Sequence, residues 1–296
     1  MKSKAPTQEQ IGNWLESVGF QSGFQIGDEA NTDRIKIFRN EQCILELILV
    51  RIGEWLNKES FAQLEGSHHY LTTQRAAGNR CIMLWEDYWM TKPEIVKSRL
   101  SAMLGLSYKI PARLTIARRI DKKDAISFLE TNHLNGSVSS KFRYGLFLPN
   151  RYYRVLQADF QVDRGGEELL VAVATFSHPR IFQQEQKAIR SYELIRFASV
   201  LDSNVIGGLD KLLNAFVKDR QPDDIMTYAD LEWSDGASYR KLGFEMKGQT
   251  PPIAFNLDLN KIARSSKSAE TDVREGQVTV YNAGSLKFVK PFEYAH

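Results

Sequence analysis

From Asp224 to Gly248 the chain reads "DIMTYADLEWSDGASYRKLGFEMKG", and no other stretch limits the possible folds as much. An apolar strand runs into Asp, Trp, Ser, Asp and Gly, and one short helical turn closes on Leu-Gly-Phe before the next strand. Such a junction is either a wall that faces a ligand or a rigid corner of the fold. The elements before it read as strand "LTIARRI", helix "KKDAISFLETNHL" entered through Asp121, strands "YGLFLP", "LLVAVATFS" and "YELIRFASV", and helix "GGLDKLLNAFVKD". Strand "IAFNLDL" follows the short helix, the polar run "RSSKSAETDVREG" reads as a flexible excursion, and "VTVYNAGSLKFV" reads as a terminal hairpin.

Turn residues around Pro111 separate this pattern from an earlier one. There, "TQEQIGNWLESVGF" has the capping-box spacing at Thr7 and Gln10 and sets Ile11, Trp14, Leu15 and Val18 on one helical face. Strands "RIKIF", "CILELILV" and "NRCIMLWEDYW" and the helix "KPEIVKSRLSAML" follow. The expected fold class is α/β (α+β) in two domains, residues 1–110 and 111–296.

Composition narrows the classes further. With 296 residues, 43% hydrophobic and 25% charged, the chain is an ordinary globular sequence. Its longest apolar run, Cys43 to Val50, is too short to cross a bilayer and carries Glu46. No secretory signal is readable at the N-terminus, so a cytoplasmic protein without a membrane partner is expected. Cys43 and Cys81 lack metal or redox spacing and read as buried free thiols.

The net charge of +3 lies wholly in residues 111–296, which hold 26 basic and 23 acidic residues. Lys141, Arg143, Arg151 and Arg154 fall in an acid-free stretch among Phe142, Tyr144, Phe147, Tyr152 and Tyr153. That pattern suits phosphate contact and base stacking on DNA, and equally a solvated basic strand face.

Gly207 and Gly208 open a helix directly after a strand and loop. Backbone N–H groups there can meet a phosphate, or the glycines can serve close packing. The order of elements from residue 112 onward resembles the GNAT N-acyltransferase fold. That resemblance implies that the fifth strand splays from the fourth, that acyl-CoA enters the gap, and that Tyr239 on the short helix is the general acid. It also implies a pyrophosphate cradle at Asn204, Val205, Ile206, Gly207, Gly208 and Leu209, although Asn204 and Leu209 depart from the family's Gln/Arg and second Gly.

In the same reading Glu193 is a general base and Arg196 an anion clamp, or Arg196 pairs with Asp230. Three residues apart in a strand, Glu193 and Arg196 face opposite sides unless a bulge intervenes. Asp230, Trp233 and Ser234 form an acceptor-side wall, with Ser234 or Asp235 available to cap the short helix. Asn132 and His133 flank the acceptor, His133 as an acid/base or as a satisfied loop histidine.

Six further motifs, "WEDYWMTKPEIVKSRLSAMLG", "FLETNHLNG", "ELIRFAS", "NVIGG", "YADLEWSDGASYRKLGF" and "VYNAGSLKF", resemble the successive landmarks of phage-borne, homing-endonuclease-like proteins. Those pair a nuclease domain similar to very-short-patch repair and other PD-(D/E)xK enzymes with a GNAT-like domain that is similar to Mom-type DNA-modification proteins. The family's metal-binding Asp falls at Lys36, within Ile35-Lys36-Ile37-Phe38. The second acid survives as Glu46, the Asn-Gly after it is Ile48-Leu49, and the Trp-His-Ser is Trp55-Leu56-Asn57. The resemblance therefore implies an eroded nuclease with no metal. Asp33, His68, His69, Glu86 and Asp87 form an alternative metal set or a solvated His pair and strand-end acids. Three functions follow: an N-acyltransferase of mobile-element origin acting on nucleic acid or an associated acceptor, a non-catalytic DNA-binding relative of an endonuclease, and an active metal-dependent nuclease.

Overall fold

The computed structural model describes residues 6–26, 32–52, 60–184, 187–266 and 276–294. Trp55-Leu56-Asn57 and residues 267–275 of the polar run lie outside the described residues. In chain order the elements are α1 (Pro6–Ser17), β1 (Gln21–Ile26), β2 (Thr32–Arg39), β3 (Gln42–Val50), α2 (Ser60–Ala76), β4 (Cys81–Trp85), α3 (Glu86–Thr91), α4 (Pro93–Leu104) and β5 (Tyr108–Pro111). Then come β6 (Ile116–Arg119), α5 (Lys122–Asn132), β7 (Phe142–Pro149), β8 (Glu168–Phe176), β9 (Arg180–Gln184), β10 (Lys187–Ser199), β11 (Ser203–Ile206), α6 (Gly208–Arg220) and β12 (Asp224–Asp230). The rest are α7 (Ala237–Lys241), β13 (Glu245–Gln249), β14 (Ala254–Asp258), β15 (Ala263–Ser266), β16 (Gln277–Tyr281) and β17 (Ser285–Pro291).

These elements form two compact units, and neither is contiguous in sequence. Unit 1 holds residues 1–93, 229–235 and 249–286; unit 2 holds 94–228, 236–248 and 287–296. This differs from a single division at residue 110. Helix α4 belongs with unit 2, where Ser98 Oγ accepts from the Asp202 N–H at 2.8 Å. The segment 229–235 belongs with unit 1 because the Arg75 guanidinium donates to the Leu231 carbonyl at 2.7 Å and reaches those of Glu232 and Ser234.

Unit 1 is built on a sheet of order β1-β2-β3-β4. Strands β3 and β4 are parallel, which requires a crossover, and α2 supplies it. Sequence reading misses α2 because its buried apolar anchors Leu64 and Leu71 are separated mainly by polar residues. A second sheet, β15-β14-β16, adds Leu257 and Val280 to the core of Ile48, Val50, Leu71, Met83 and Trp85. Two expectations fail here. "IAFNLDL" holds β14 of this unit rather than a strand of the second, and the terminal hairpin does not form, since β16 pairs with β14 while β17 enters the large sheet. The chain turns away between them at Gly284, whose φ of +79° only glycine adopts without strain. Cys43 is also exposed rather than buried, because it sits where the β2–β3 register shifts.

Unit 2 is built on a sheet of order β13-β17-β12-β10-β8-β7-β6, with β9 paired to β10 off that path. It is a mixed α/β arrangement, with parallel and antiparallel strand pairs in one sheet. Helix α5 covers one face, where Ala125, Phe128 and Leu129 pack on Val173 and Ala198. On the other face, Phe216 of α6 stacks on Phe176 at 3.8 Å and lies edge-on to Tyr144 and Tyr192. Val173 and Phe176 are three apart on β8, so strand alternation puts the two helices on opposite faces.

Candidate active site

The fork in the large sheet is the feature that can hold a ligand. Parallel pairing of β10 with β12 runs from Ser191 opposite Asp224 to Leu194 opposite Thr227 and then stops. Both strands continue, β10 to Ser199 and β12 to Asp230, with β8 and β17 as their other neighbours. Thr227 Oγ1 donates to the Leu194 carbonyl at 3.0 Å and seals the closed end. Beyond it the two strands are no longer paired with each other; the Ile195 carbonyl accepts from the Arg196 guanidinium, and the Asp230 carbonyl from the Trp233 and Ser234 N–H groups.

A bulge lies at this point, between Leu194 and Arg196 in the β10–β8 ladder. Its effect can be read from neighbours. Tyr192 faces α6 through Phe216, yet Ala198, six residues on, packs with α5. One extra residue reverses the alternation, so Glu193 and Arg196 share the α5 face. Arg196 confirms this by donating to the carbonyl of Gly136, in the loop after α5, at 3.3 Å. Both side chains are half-buried.

Tyr239 points to the closed end of the fork. Its hydroxyl is hydrogen-bonded to Thr227, and its ring packs 5.6 Å from both Phe244 and Phe288. Burial raises the phenol above its usual 10.0, against the opposing pull of the Thr227 hydrogen bond and the Arg99 and Arg196 guanidiniums. The phenol therefore keeps its proton through the neutral range. Helix α7 can place it there because Gly236 is left-handed, with φ +79°, and a Cβ at that position would lie 2.2 Å from the Phe288 ring. Gly236 is also the helix's N-cap, so neither Ser234 nor Asp235 caps it. Thr227 and Arg99 were missed from sequence, since a threonine in an apolar strand and an arginine on a helix carry no signal.

The expected pyrophosphate cradle is more constrained than the sequence suggests. Asn204, Val205 and Ile206 lie in β11, which pairs in parallel with β5. Val205 is buried and packs within 3.0 Å of where a Gly208 Cβ would stand, so Gly208 answers to packing. Gly207 adopts φ +77°, is exposed, and starts α6, leaving the first-turn N–H groups of Gly208, Leu209 and Asp210 outside the helix's own hydrogen bonds. The Asp210 carboxylate in that turn opposes an anion. Lys211 cannot offset it, because its ammonium donates to the carbonyls of Ala112 and Thr115. The Gly207 turn thus offers backbone donors, without the side-chain support that the resemblance implies at Asn204 and Leu209.

On the acceptor side several expected residues are occupied. Asn132 donates to the Phe128 carbonyl at 2.8 Å and accepts from the Leu201 N–H at 2.7 Å, which makes it a clip rather than a substrate ligand. His133 ends α5 and its Nδ1 accepts from the Asn135 N–H at 3.1 Å, the satisfied loop histidine. Asp230, Trp233 and Ser234 belong to unit 1. Trp233 is 2% exposed and cannot be an open wall. Asp230 Oδ1 accepts from the Glu232 N–H at 2.9 Å, and the Ser234 carbonyl accepts from Arg75.

The acid-free stretch does not become one patch. Lys141 and Arg143 flank the start of β7, and Arg151 and Arg154 follow its end, about 25 Å away at strand rise. Phe142 and Tyr144 pack against Phe216 in the core and are not available to stack on bases. Of the alternative metal set, Asp33 pairs with Arg51, Asp87 pairs with Arg264, and Glu86 accepts from Thr7 and the Ile52 N–H. Among the described residues no group of three or more His, Cys, Asp or Glu is placed to hold a metal ion. No helix among them is long and apolar enough to cross a membrane.

No protein-family model matches the chain, and no curated protein matches it. Among solved structures the chain is similar to a Corynebacterium glutamicum protein described as histone acetyltransferase HPA2 and related acetyltransferase, at 14% identity, over 61% of this chain and 98% of that one, with a TM-score of 0.35. It is also similar to a Bacillus subtilis acetyltransferase in complex with CoA, at 11% identity, over 60% and 99%, with a TM-score of 0.33. The Arabidopsis thaliana NAA60 structure with a bisubstrate analogue gives 11% identity, 60% and 99%, and 0.35.

Proposed function

We propose that the protein is an N-acyltransferase that takes its acyl group from acyl-CoA bound in the β10–β12 fork. The observation that carries this reading is the end of β10–β12 pairing at Leu194 and Thr227, with the bulge beside it and the Tyr239 hydroxyl at its closed end. A bound acyl-CoA supplies a thioester whose sulfur must leave with a proton. Tyr239 Oη holds such a proton, because its pKa lies above 10.0. Glu193, on the α5 face with Arg196, can take a proton from an incoming amine, while Arg196 holds an anionic group of the acceptor. The Gly207 turn offers backbone donors to phosphate.

In the finer form of this proposal the acceptor is a nucleic acid or a molecule bound to one, and the chain descends from a mobile element. Support comes from the ordered motifs shared with homing-endonuclease-like proteins and from Lys141 and Arg154, which are exposed and have no ion-pair partner among the described residues. The non-catalytic reading rests on the same cations and predicts DNA binding that weakens steeply with salt and is indifferent to acetyl-CoA. An active nuclease would need metal-dependent cutting that Glu46→Gln abolishes.

Calorimetric titration with acetyl-CoA tests the proposal directly. Binding in the micromolar range that Gly207→Val weakens supports it, and no binding at millimolar acetyl-CoA overturns it. With an acceptor in hand, Tyr239→Phe should lower kcat by about 10²-fold or more with acetyl-CoA affinity little changed.

A further inference from the structure

Unit 1 contains a second concave site, remote in sequence from the fork. A cleft of about 500 Å³ opens between the β2–β3 hairpin and the turn from α2 into β4, within the size range of small-molecule sites. Lys36 and Arg80 line it, with Glu46, Tyr70, Gln74 and Cys43. Lys36 stands opposite Glu46 in the β2–β3 register, and Glu46 stands opposite Cys81 across β3–β4.

The charges in this cleft are unevenly matched. Glu46 is 5% exposed, and both its oxygens lie within reach of the Tyr70 hydroxyl, at 3.0 and 3.2 Å. The guanidinium of Arg34 stacks on the Tyr70 ring, 3.7 Å from its centroid. Neither Lys36 nor Arg80 has a side-chain hydrogen bond or ion pair among the described residues. Three cations thus surround one carboxylate, a local charge of +2, with Gln74 and Asn79 beside them as amide donors and acceptors.

From this cleft we infer a binding site for a phosphate monoester. A monoester carries close to two negative charges at neutral pH, since its second pKa is about 6, whereas a phosphodiester carries one. The +2 cleft therefore favours the monoester. Lys36 and Arg80 contact the phosphate oxygens, Arg34 adds charge from behind Tyr70, and Glu46 accepts from a hydroxyl or amine elsewhere on the ligand. The source is either a free phosphorylated small molecule or the terminal phosphate of a nucleic-acid strand.

Titration calorimetry on the full chain separates these. Methyl phosphate and adenosine monophosphate should bind at neutral pH, dimethyl phosphate should not, and affinity should fall as pH drops below about 6. Lys36→Met and Arg80→Ala, both away from the buried core, should each weaken binding about tenfold with unchanged thermal unfolding. A 5′-phosphorylated oligonucleotide that binds better than adenosine monophosphate, and than the same strand with a 5′-hydroxyl, identifies the strand end as the source; the reverse order identifies a free metabolite. The inference is overturned if dimethyl phosphate binds as well as methyl phosphate, if both substitutions leave affinity unchanged, or if no monoester binds at 10 mM, roughly the weak limit of specific binding.

Discussion

The two units hold their interiors together by different means. Unit 1 buries ionisable groups: Asp87 is paired with Arg264 at 2.6 Å, Glu232 accepts from Trp85 Nε1 at 2.8 Å, and Glu46 is held by Tyr70. Around the fork and on the α6 face, unit 2 relies on rings: Phe142, Tyr144, Phe176, Tyr192 and Phe216 interlock there, and Tyr239, Phe244 and Phe288 close the fork. A charge withdrawn from water needs its partner, whereas an aromatic cluster needs shape. Unit 1 should therefore respond to charge removal and pH, and unit 2 to added volume.

Arg264→Ala puts the sharpest strain on that contrast. It leaves Asp87, which is 2% exposed, without its guanidinium and takes a cation from the faces of Trp85, Tyr88 and Phe255. Unit 1 should lose about 3–5 kcal/mol. Urea unfolding followed by tryptophan fluorescence measures this, because the described tryptophans, Trp14, Trp85, Trp89 and Trp233, lie in unit 1 and the sequence of unit 2 has none. A loss under 1 kcal/mol would mean that the pair is not a support.

Gly236→Val is the counterpart in unit 2. Both the positive φ and the Phe288 ring oppose a side chain there, so a cost of about 3 kcal/mol is expected, read by far-UV circular dichroism during denaturation. Wild-type stability would contradict the close approach at the fork.

Glu232 tests the contrast through pH. Burial, with Asp230 adding, raises its carboxyl from the usual 4.5 to about 8. Below 4.5 the folded and unfolded states are both protonated. Between 4.5 and 8 only the unfolded state ionises, so the stability of unit 1 should fall as pH rises through that window and level off above it. Glu232→Gln should flatten this profile across the window. An unchanged profile would assign the dependence elsewhere.

The smallest effect is expected from Thr227→Val, which removes the bonds to the Leu194 carbonyl and to Tyr239 without adding volume. About 1 kcal/mol should be lost, and the Tyr239 hydroxyl should titrate at a shifted pH in ultraviolet difference spectra. A static Tyr239 titration would separate the tyrosine from the closed end of the fork.

Much of this organisation was legible in the sequence. The alternation of "YELIRFASV" and "DIMTYAD", the Asp121 cap and the glycines at 207 and 208 all report local backbone preferences, and each element formed as read. Tyr239 was singled out by a resemblance alone, and the fold sets its hydroxyl on Thr227 at the end of the β10–β12 pairing. Trp233, Asn132 and Cys43 were misplaced because their roles depend on which neighbour packs on them, and neighbours distant in sequence leave no local trace.

What the sequence determined by itself was the type and order of elements with a strong local signal, such as α5, β8, β10, α6 and β12, because periodicity, capping and turn chemistry act over a few residues. Tertiary structure alone decided which strands share a sheet, where β10 and β12 part, that a one-residue bulge brings Glu193 and Arg196 to one face, and that Lys36 of β2 and Arg80 of the turn before β4 line one cleft with Glu46 of β3. These are long-range choices, made by burial and register between segments far apart along the chain.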